Sequence, residues 1–140
     1  MRRDRHHARV LAMQALCQLD VQGDDALNQL DELFAESGAT SGTIEYAKRL
    51  ARSCWQQRGQ LDARMGDQLA HWDVERLSPV ERNVLRVAMV ELPGGEVPPK
   101  VVINEAVEIG REFGGAESPR FINGTLDALW KQSGEVRSDK

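Results

Sequence analysis

Three acidic side chains, Glu105, Glu108 and Glu112, recur at positions i, i+3 and i+7 of a helical pattern, a stripe from which general acid-base chemistry could start. No histidine, cysteine or lysine stands with them in a nucleophile or proton-relay arrangement, so the stripe by itself defines no reaction. Ser78 and Ser118 each precede a proline and read as helix caps. His6, His7, Cys17 and His71 offer zinc-binding atoms without a diagnostic spacing, and the sequence has neither a phosphate-cradling glycine loop nor a Walker lysine. The expectation is a protein with no catalytic residues, no metal and no cofactor, which acts by binding. Its candidate binding groups are four guanidiniums, Arg2, Arg3, Arg5 and Arg9, and one ring, Phe121. Guanidinium forks match phosphate oxygens, and a ring on a helix rim offers an unstacked base a platform. Together they point to single-stranded RNA rather than duplex DNA.

The charge distribution supports a local anionic partner. Over 140 residues the net charge is -4, yet residues Met1 to Ala12 hold those four arginines against one acid, Asp4. From Met13 to Thr40 the balance reverses, with Asp20, Asp24, Asp25, Asp31, Glu32 and Glu36 and no lysine or arginine. Arginines at a helix N-terminus oppose the macrodipole, which favours acids there by about 0.3 to 1 kcal/mol per charge. Helix stability therefore does not explain them; a merely solvated, charged end is the alternative. With 41% hydrophobic residues and no apolar run near the roughly 18 that cross a bilayer, one soluble globular unit is expected, without a membrane span. No apolar region follows the N-terminal arginines as it would in a signal peptide. Cys17 and Cys54 read as reduced thiols of a cytoplasmic protein.

The elements that must position these groups are helical throughout. Ala8, Leu11, Ala12, Ala15, Leu16 and Leu19 give the first helix one apolar face, with Arg2, Arg5 and Arg9 flanking it. A second helix is expected from Asp24 or Asp25, carrying Leu27, Leu30, Leu33 and Phe34 inward. Next comes a long pattern from Ile44 to Leu69 that Gly59 and Gly66 could kink, each lowering helix stability by about 1 kcal/mol relative to alanine. Trp55, Trp72 and Trp130 read as packing between helices. Ser78-Pro79-Val80-Glu81 is a capping box, and Val84, Leu85, Ala88, Met89 and Leu92 form the buried face behind it. Val102, Ala106, Ile109 and Phe113 mark a further helix ended by Gly114 and Gly115. The last begins near Ser118-Pro119, with Ile122, Leu126 and Leu129 inward and Phe121 about a quarter-turn away, near the rim. The predicted fold class is all-α: about seven helices in two tightly packed subdomains, residues 1–72 and 73–132, with a flexible tail at 133–140.

Several stretches carry a family likeness. Val80-Glu81-Arg82-Asn83-Val84-Leu85-Arg86-Val87-Ala88, Glu91-Leu92, Lys100-Val101-Val102-Ile103-Asn104-Glu105-Ala106, Phe113-Gly114 and Phe121-Ile122-Asn123-Gly124 resemble the NusB family of bacterial transcription antitermination factors. The resemblance implies a non-enzymatic RNA-binding adaptor. It would recognise a single-stranded boxA-type element jointly with the ribosomal protein NusE, join antitermination complexes on RNA polymerase, and support ribosomal RNA synthesis. By position, Arg2, Arg3, Arg5 and Arg9 match the basic segment that meets RNA, Phe121 an aromatic at the RNA surface, and Glu117 an acidic loop residue beside it. Glu81 matches a contact to the ribosomal partner, a role that competes with its place in the capping box. Cys17 stands where relatives often have an aromatic, and Asp4, His6 and His7 interrupt the basic run, so the partner is expected to supply much of the affinity. A stand-alone ribosomal RNA binder and a homodimeric protein scaffold remain as rival readings, and the choice between monomer and homodimer is open.

Overall fold

The computed structural model describes the backbone of residues 2–69, 74 and 77–138 and the side chains of residues 4–69, 74 and 77–132. Seven α-helices follow one another: α1 (Arg2–Gln22), α2 (Leu30–Glu36), α3 (Ser41–Gln56), α4 (Arg58–Gln68), α5 (Pro79–Glu91), α6 (Pro99–Phe113) and α7 (Ser118–Ser138). Two 3-10 stretches, Gly23–Gln29 and Leu92–Gly94, complete the described elements, among which there is no strand. The all-helical expectation is met. α7 passes the expected boundary at residue 132, and Trp72 and His71 lie outside the described residues.

α5 is the axis of the molecule. Ser78 caps it by accepting from the Glu81 N–H at 3.1 Å, and Pro79 fits the first turn because a missing N–H is harmless there. Asn83 to Met89 and Glu91 are all buried, so this helix is enclosed on nearly every side, packing against α1, α3, α4, α6 and α7. Around it Leu16, Leu19, Phe34, Leu85, Ile122, Leu126 and Leu129 are sealed from water. Each such side chain contributes about 1.5 to 3 kcal/mol of gross hydrophobic stabilisation.

Two expectations need correction. The acidic start of the second helix is a 3-10 stretch, and Leu27 within it is 40% exposed rather than buried. Asp24 does not cap; its carboxylate accepts from Trp55 Nε1 at 2.7 Å and ties that stretch to α3. The long pattern from Ile44 breaks at Gln57, not at a glycine. There the Arg58 guanidinium donates to the Trp55 carbonyl at 2.6 Å and stacks 3.8 Å above the Trp55 ring, adding a side-chain partner to a carbonyl at the end of α3.

The enclosed side of α5 also carries charge. Arg86 directs two donors at Asp62 (2.9 and 2.6 Å) and its Nη1 at Asp20 (2.9 Å), while Asn83 Nδ2 donates to Asp20 at 2.9 Å. Burial alone would raise the Asp20 pKa, but the hydrogen bonds from Arg86 and Asn83 and the nearby positive charges outweigh it and hold the carboxyl below its ordinary value. This cluster locks the C-terminal half of α1, α4 and α5 into one register.

α6 and α7 meet through glycines. A Cβ on Gly114 would lie 2.5 Å from Ser118 Oγ and 2.8 Å from the Gly110 carbonyl, and one on Gly110 would lie 2.5 Å from Ile122 Cδ1. Only hydrogen at these positions lets α7 fold back so closely.

Gly114→Ala should therefore destabilise the protein by about 1 to 3 kcal/mol, the usual range for overpacking. Gly124→Ala, in open space on α7, should be neutral or stabilising by up to about 1 kcal/mol. Urea midpoints read both, and equal effects would contradict the close-approach account. A depressed folded pKa means that Asp20 adds stability above the ordinary carboxyl value of 3.8, stability that disappears as pH falls below it. Asp20→Asn should flatten that acid limb of the stability profile, and an unchanged limb would show that Asp20 is not linked to folding.

Candidate nucleic-acid interface

The basic helix start is held by a second buried network, and this network changes the expected binding set. Arg9 is only 3% exposed. Its Nε and Nη2 donate to the two carboxylate oxygens of Glu91 at 2.6 and 3.0 Å, and its Nη1 donates to Glu105 at 3.0 Å. Burial opposes the guanidinium charge, yet the hydrogen bonds and charge of Glu91, assisted by Glu105, prevail and raise its pKa. Arg9 is thus withdrawn from the expected RNA-facing cluster, because its donors are turned inward to two carboxylates. It lies three residues before Ala12 and seven before Leu16, on the buried stripe itself rather than flanking it as expected.

Tyr46 of α3 joins the same network, its hydroxyl donating to Glu91 at 2.6 Å. Burial and this donation to an anion both push the phenol pKa up. Above the ring lies Arg5, its Cζ 3.9 Å from the centroid. Of the four expected arginines Arg5 is the one whose guanidinium is described and accessible; the side chains of Arg2 and Arg3 lie outside the described residues.

The expected carboxylate stripe on α6 is partly structural as well. Glu105 is buried against Arg9, and Glu108 pairs with Arg111. His6 bridges this stripe to α1, with Nε2 donating to Glu112 at 2.8 Å and Nδ1 lying 3.5 Å from Glu105. The first turns of α1 are therefore tied to α6 through these side chains. From Glu112 the chain passes through the Gly114–Glu117 loop directly into α7 and Phe121.

At the start of α7, Phe121 is half-buried, with part of the ring packed on the core and part open to water. Glu117 is exposed, and its carbonyl accepts from the Phe121 N–H at 3.1 Å, opening the helix. Phe113, expected on the apolar face, is instead 41% exposed. Ile122 covers Gly110 one turn earlier and Ser118 lies against Gly114, while the Phe113 ring is left largely in water. Two rings thus border the same loop, a pairing hidden by the regular spacing of Phe113 with Ile109.

Glu81 is not free either. Its carboxylate accepts from Ser78 Oγ at 3.2 Å and from Ser118 Oγ at 2.8 Å, joining the start of α5 to the start of α7. Among the described residues it makes no return bond to the Ser78 N–H, so only half of the expected capping box forms. Ser118 is inside the first turn of α7 rather than capping it, and its hydroxyl also accepts from the Gly115 N–H at 3.2 Å. Among the described residues no group of three or more histidine, cysteine or carboxylate side chains is placed to hold a metal ion.

Arg9→Met should lower stability by about 3 to 5 kcal/mol, because it leaves Glu91 and Glu105 buried without their cation. Chemical denaturation measures it, and a loss under 1 kcal/mol would show that the two carboxylates do not depend on Arg9.

Comparison with known proteins identifies the family. The NusB family model matches residues 6–131. The transcription antitermination protein NusB of Dehalococcoides mccartyi strain CBDB1 is 37% identical, covering 100% of this chain and 99% of its own. That of Anaeromyxobacter dehalogenans strain 2CP-1 is 39% identical over 89% of each. Among solved structures, T. maritima NusB superposes with a TM-score of 0.82 at 35% identity, covering 91% of this chain and 90% of that one. A chain in the crystal structure of the antitermination factors NusB and NusE in complex with double-stranded RNA superposes with a TM-score of 0.83 at 26% identity, covering 94% of this chain and 99% of that one. With its sequence and its helical framework matched from the first turns of α1 to the body of α7, this chain belongs to the NusB family of transcription antitermination proteins.

Proposed function

We propose that this protein is an antitermination adaptor that binds boxA-type RNA together with the ribosomal protein NusE and catalyses no reaction. The observation that carries the reading is the match to a NusB solved with both NusE and RNA. The RNA in that complex is double-stranded; our preference for a single strand rests on the half-open ring of Phe121, which an unstacked base can cover. In this reading the first turns of α1, with Arg2, Arg3 and Arg5, contact phosphates. Phe121 stacks on a base, and Glu117 accepts a hydrogen bond from a base edge while repelling misplaced phosphate. Glu81 serves the partner surface indirectly, by fixing the starts of α5 and α7. The work belongs to the cytoplasm, where RNA is transcribed, and among the described residues no helix is long and apolar enough to cross a membrane.

Titration of a boxA-type RNA oligomer with and without purified NusE tests ligand and partner together. Binding should tighten with NusE and weaken with salt, with a log-log slope of about -0.7 for each phosphate neutralised. Phe121→Ala should weaken it by about 1 to 3 kcal/mol if one base stacks there. RNA binding indifferent to NusE would favour a stand-alone RNA binder, and a homodimer that binds no RNA would favour a protein scaffold.

A further inference from the structure

We propose that Arg49 of α3 and Arg5 of α1 form a binding site for an RNA backbone phosphate around the ring of Tyr46, extending the RNA surface from α1 onto α3. The proposal rests on the RNA reading above and adds a residue that the N-terminal basic segment does not contain.

The first support is a pair of guanidiniums gathered at one ring. Arg5 Cζ lies 3.9 Å and Arg49 Cζ 5.3 Å from the Tyr46 centroid. Neither arginine makes an ion pair with any described carboxylate, whereas Arg9, Arg82, Arg86 and Arg111 all do. Two like charges at one ring repel each other, and an oxyanion between them would turn that repulsion into attraction. Their N–H donors remain available for it.

The second support is rigidity. Tyr46 is nearly enclosed, and its hydroxyl is fixed on Glu91, which Arg9 holds through two hydrogen bonds. Both guanidiniums therefore rest on a platform that cannot swing away, so less order has to be created on binding. On the Arg49 side of the ring is an open hollow of about 230 Å³, which Arg5 does not line; Arg49, Ser53 and Val97 border it together with Glu91, whose carboxylate is already taken up by Arg9 and Tyr46. Glu96 also lines it, without an ion pair to Arg49 among the described residues, and would direct phosphate toward the arginine side. A nucleic-acid strand fits better than an isolated protein carboxylate, because Arg5 continues the cationic run of Arg2 and Arg3 and a strand repeats its charge along its length.

The test is anisotropy titration of a labelled boxA-type RNA, with and without NusE, over a series of salt concentrations. The proteins are wild type, Arg49→Gln, Arg49→Lys, Arg5→Gln and Phe121→Ala, each first checked for unchanged thermal melting. Arg49→Gln should make the log-log salt slope shallower by about 0.7, the loss of one phosphate contact, and Arg49→Lys should restore it. If Arg5→Gln or Phe121→Ala weakens binding while Arg49→Gln leaves affinity and slope at wild-type values, the α3 site is wrong and the RNA reading stands. If wild type binds no RNA, or no variant differs from it, the RNA reading falls as well. Loss of NusE binding in Arg49→Gln with an unchanged salt slope would assign this arginine to the protein partner and overturn the proposal.

Discussion

A cation placed in the middle of an apolar helix face needs partners or it destabilises the fold, and in this protein that requirement falls on Arg9. Its two-pronged hydrogen bonding to Glu91 and its third contact to Glu105 bind α1 to α5 and α6 simultaneously. Because the guanidinium is planar and its donors are fixed, the three helices can meet in few other registers. Such a network contributes less to net stability than to geometry, since desolvation offsets much of its Coulomb attraction. Its consequence is positional: Tyr46 is anchored to the same glutamate, and Arg5 lies on Tyr46.

The other strong constraints act on the opposite end of α5. Arg86 with Asp20 and Asp62 fixes α1 and α4, and the bond from Ser118 to Glu81 fixes the start of α7. Close contact at Gly110 and Gly114 then sets how near α7 lies to α6. Buried polar contacts and steric limits thus define the frame, while the exposed groups proposed to meet a partner sit at the start of α1, on the body of α3 and on the loop into α7. That division suits a protein whose surface must be preorganised to meet its partners.

The helices were legible because apolar spacing, proline and serine punctuation and glycine stops all agree along this chain, and the apolar residues expected inward on α1, α5 and α7 are buried, although Val10, Met13 and Val87 join them without having been expected. The break at Gln57 was not, because it depends on Arg58 reaching back to a carbonyl, an interaction without a periodic signature. The site was read less fully. Counting arginines could not separate Arg9, which turns inward, from Arg5, which does not; the separation depends on Glu91 and Glu105, about ninety residues away in the chain. The grouping of Arg5 and Arg49 at Tyr46 likewise joins two helices and has no local signature in the chain. Phe113 follows the core spacing to the last turn of α6 and yet is exposed, which periodicity alone does not reveal. The family likeness supplied a role for Phe121 and Glu117 that residue chemistry alone left general.

The central claim is that the first turns of α1 and the loop leading into α7 form the surface that meets RNA, on a frame already locked by Arg9. Hydrogen exchange followed by mass spectrometry, on the protein alone and saturated with boxA-type RNA and NusE, tests it most directly. The account predicts new protection at residues 2–7 and 114–121, with the amides around Arg9 and Glu91 slow to exchange in both states. RNA-dependent protection confined to α2 and α4, with those two segments unchanged, would contradict it.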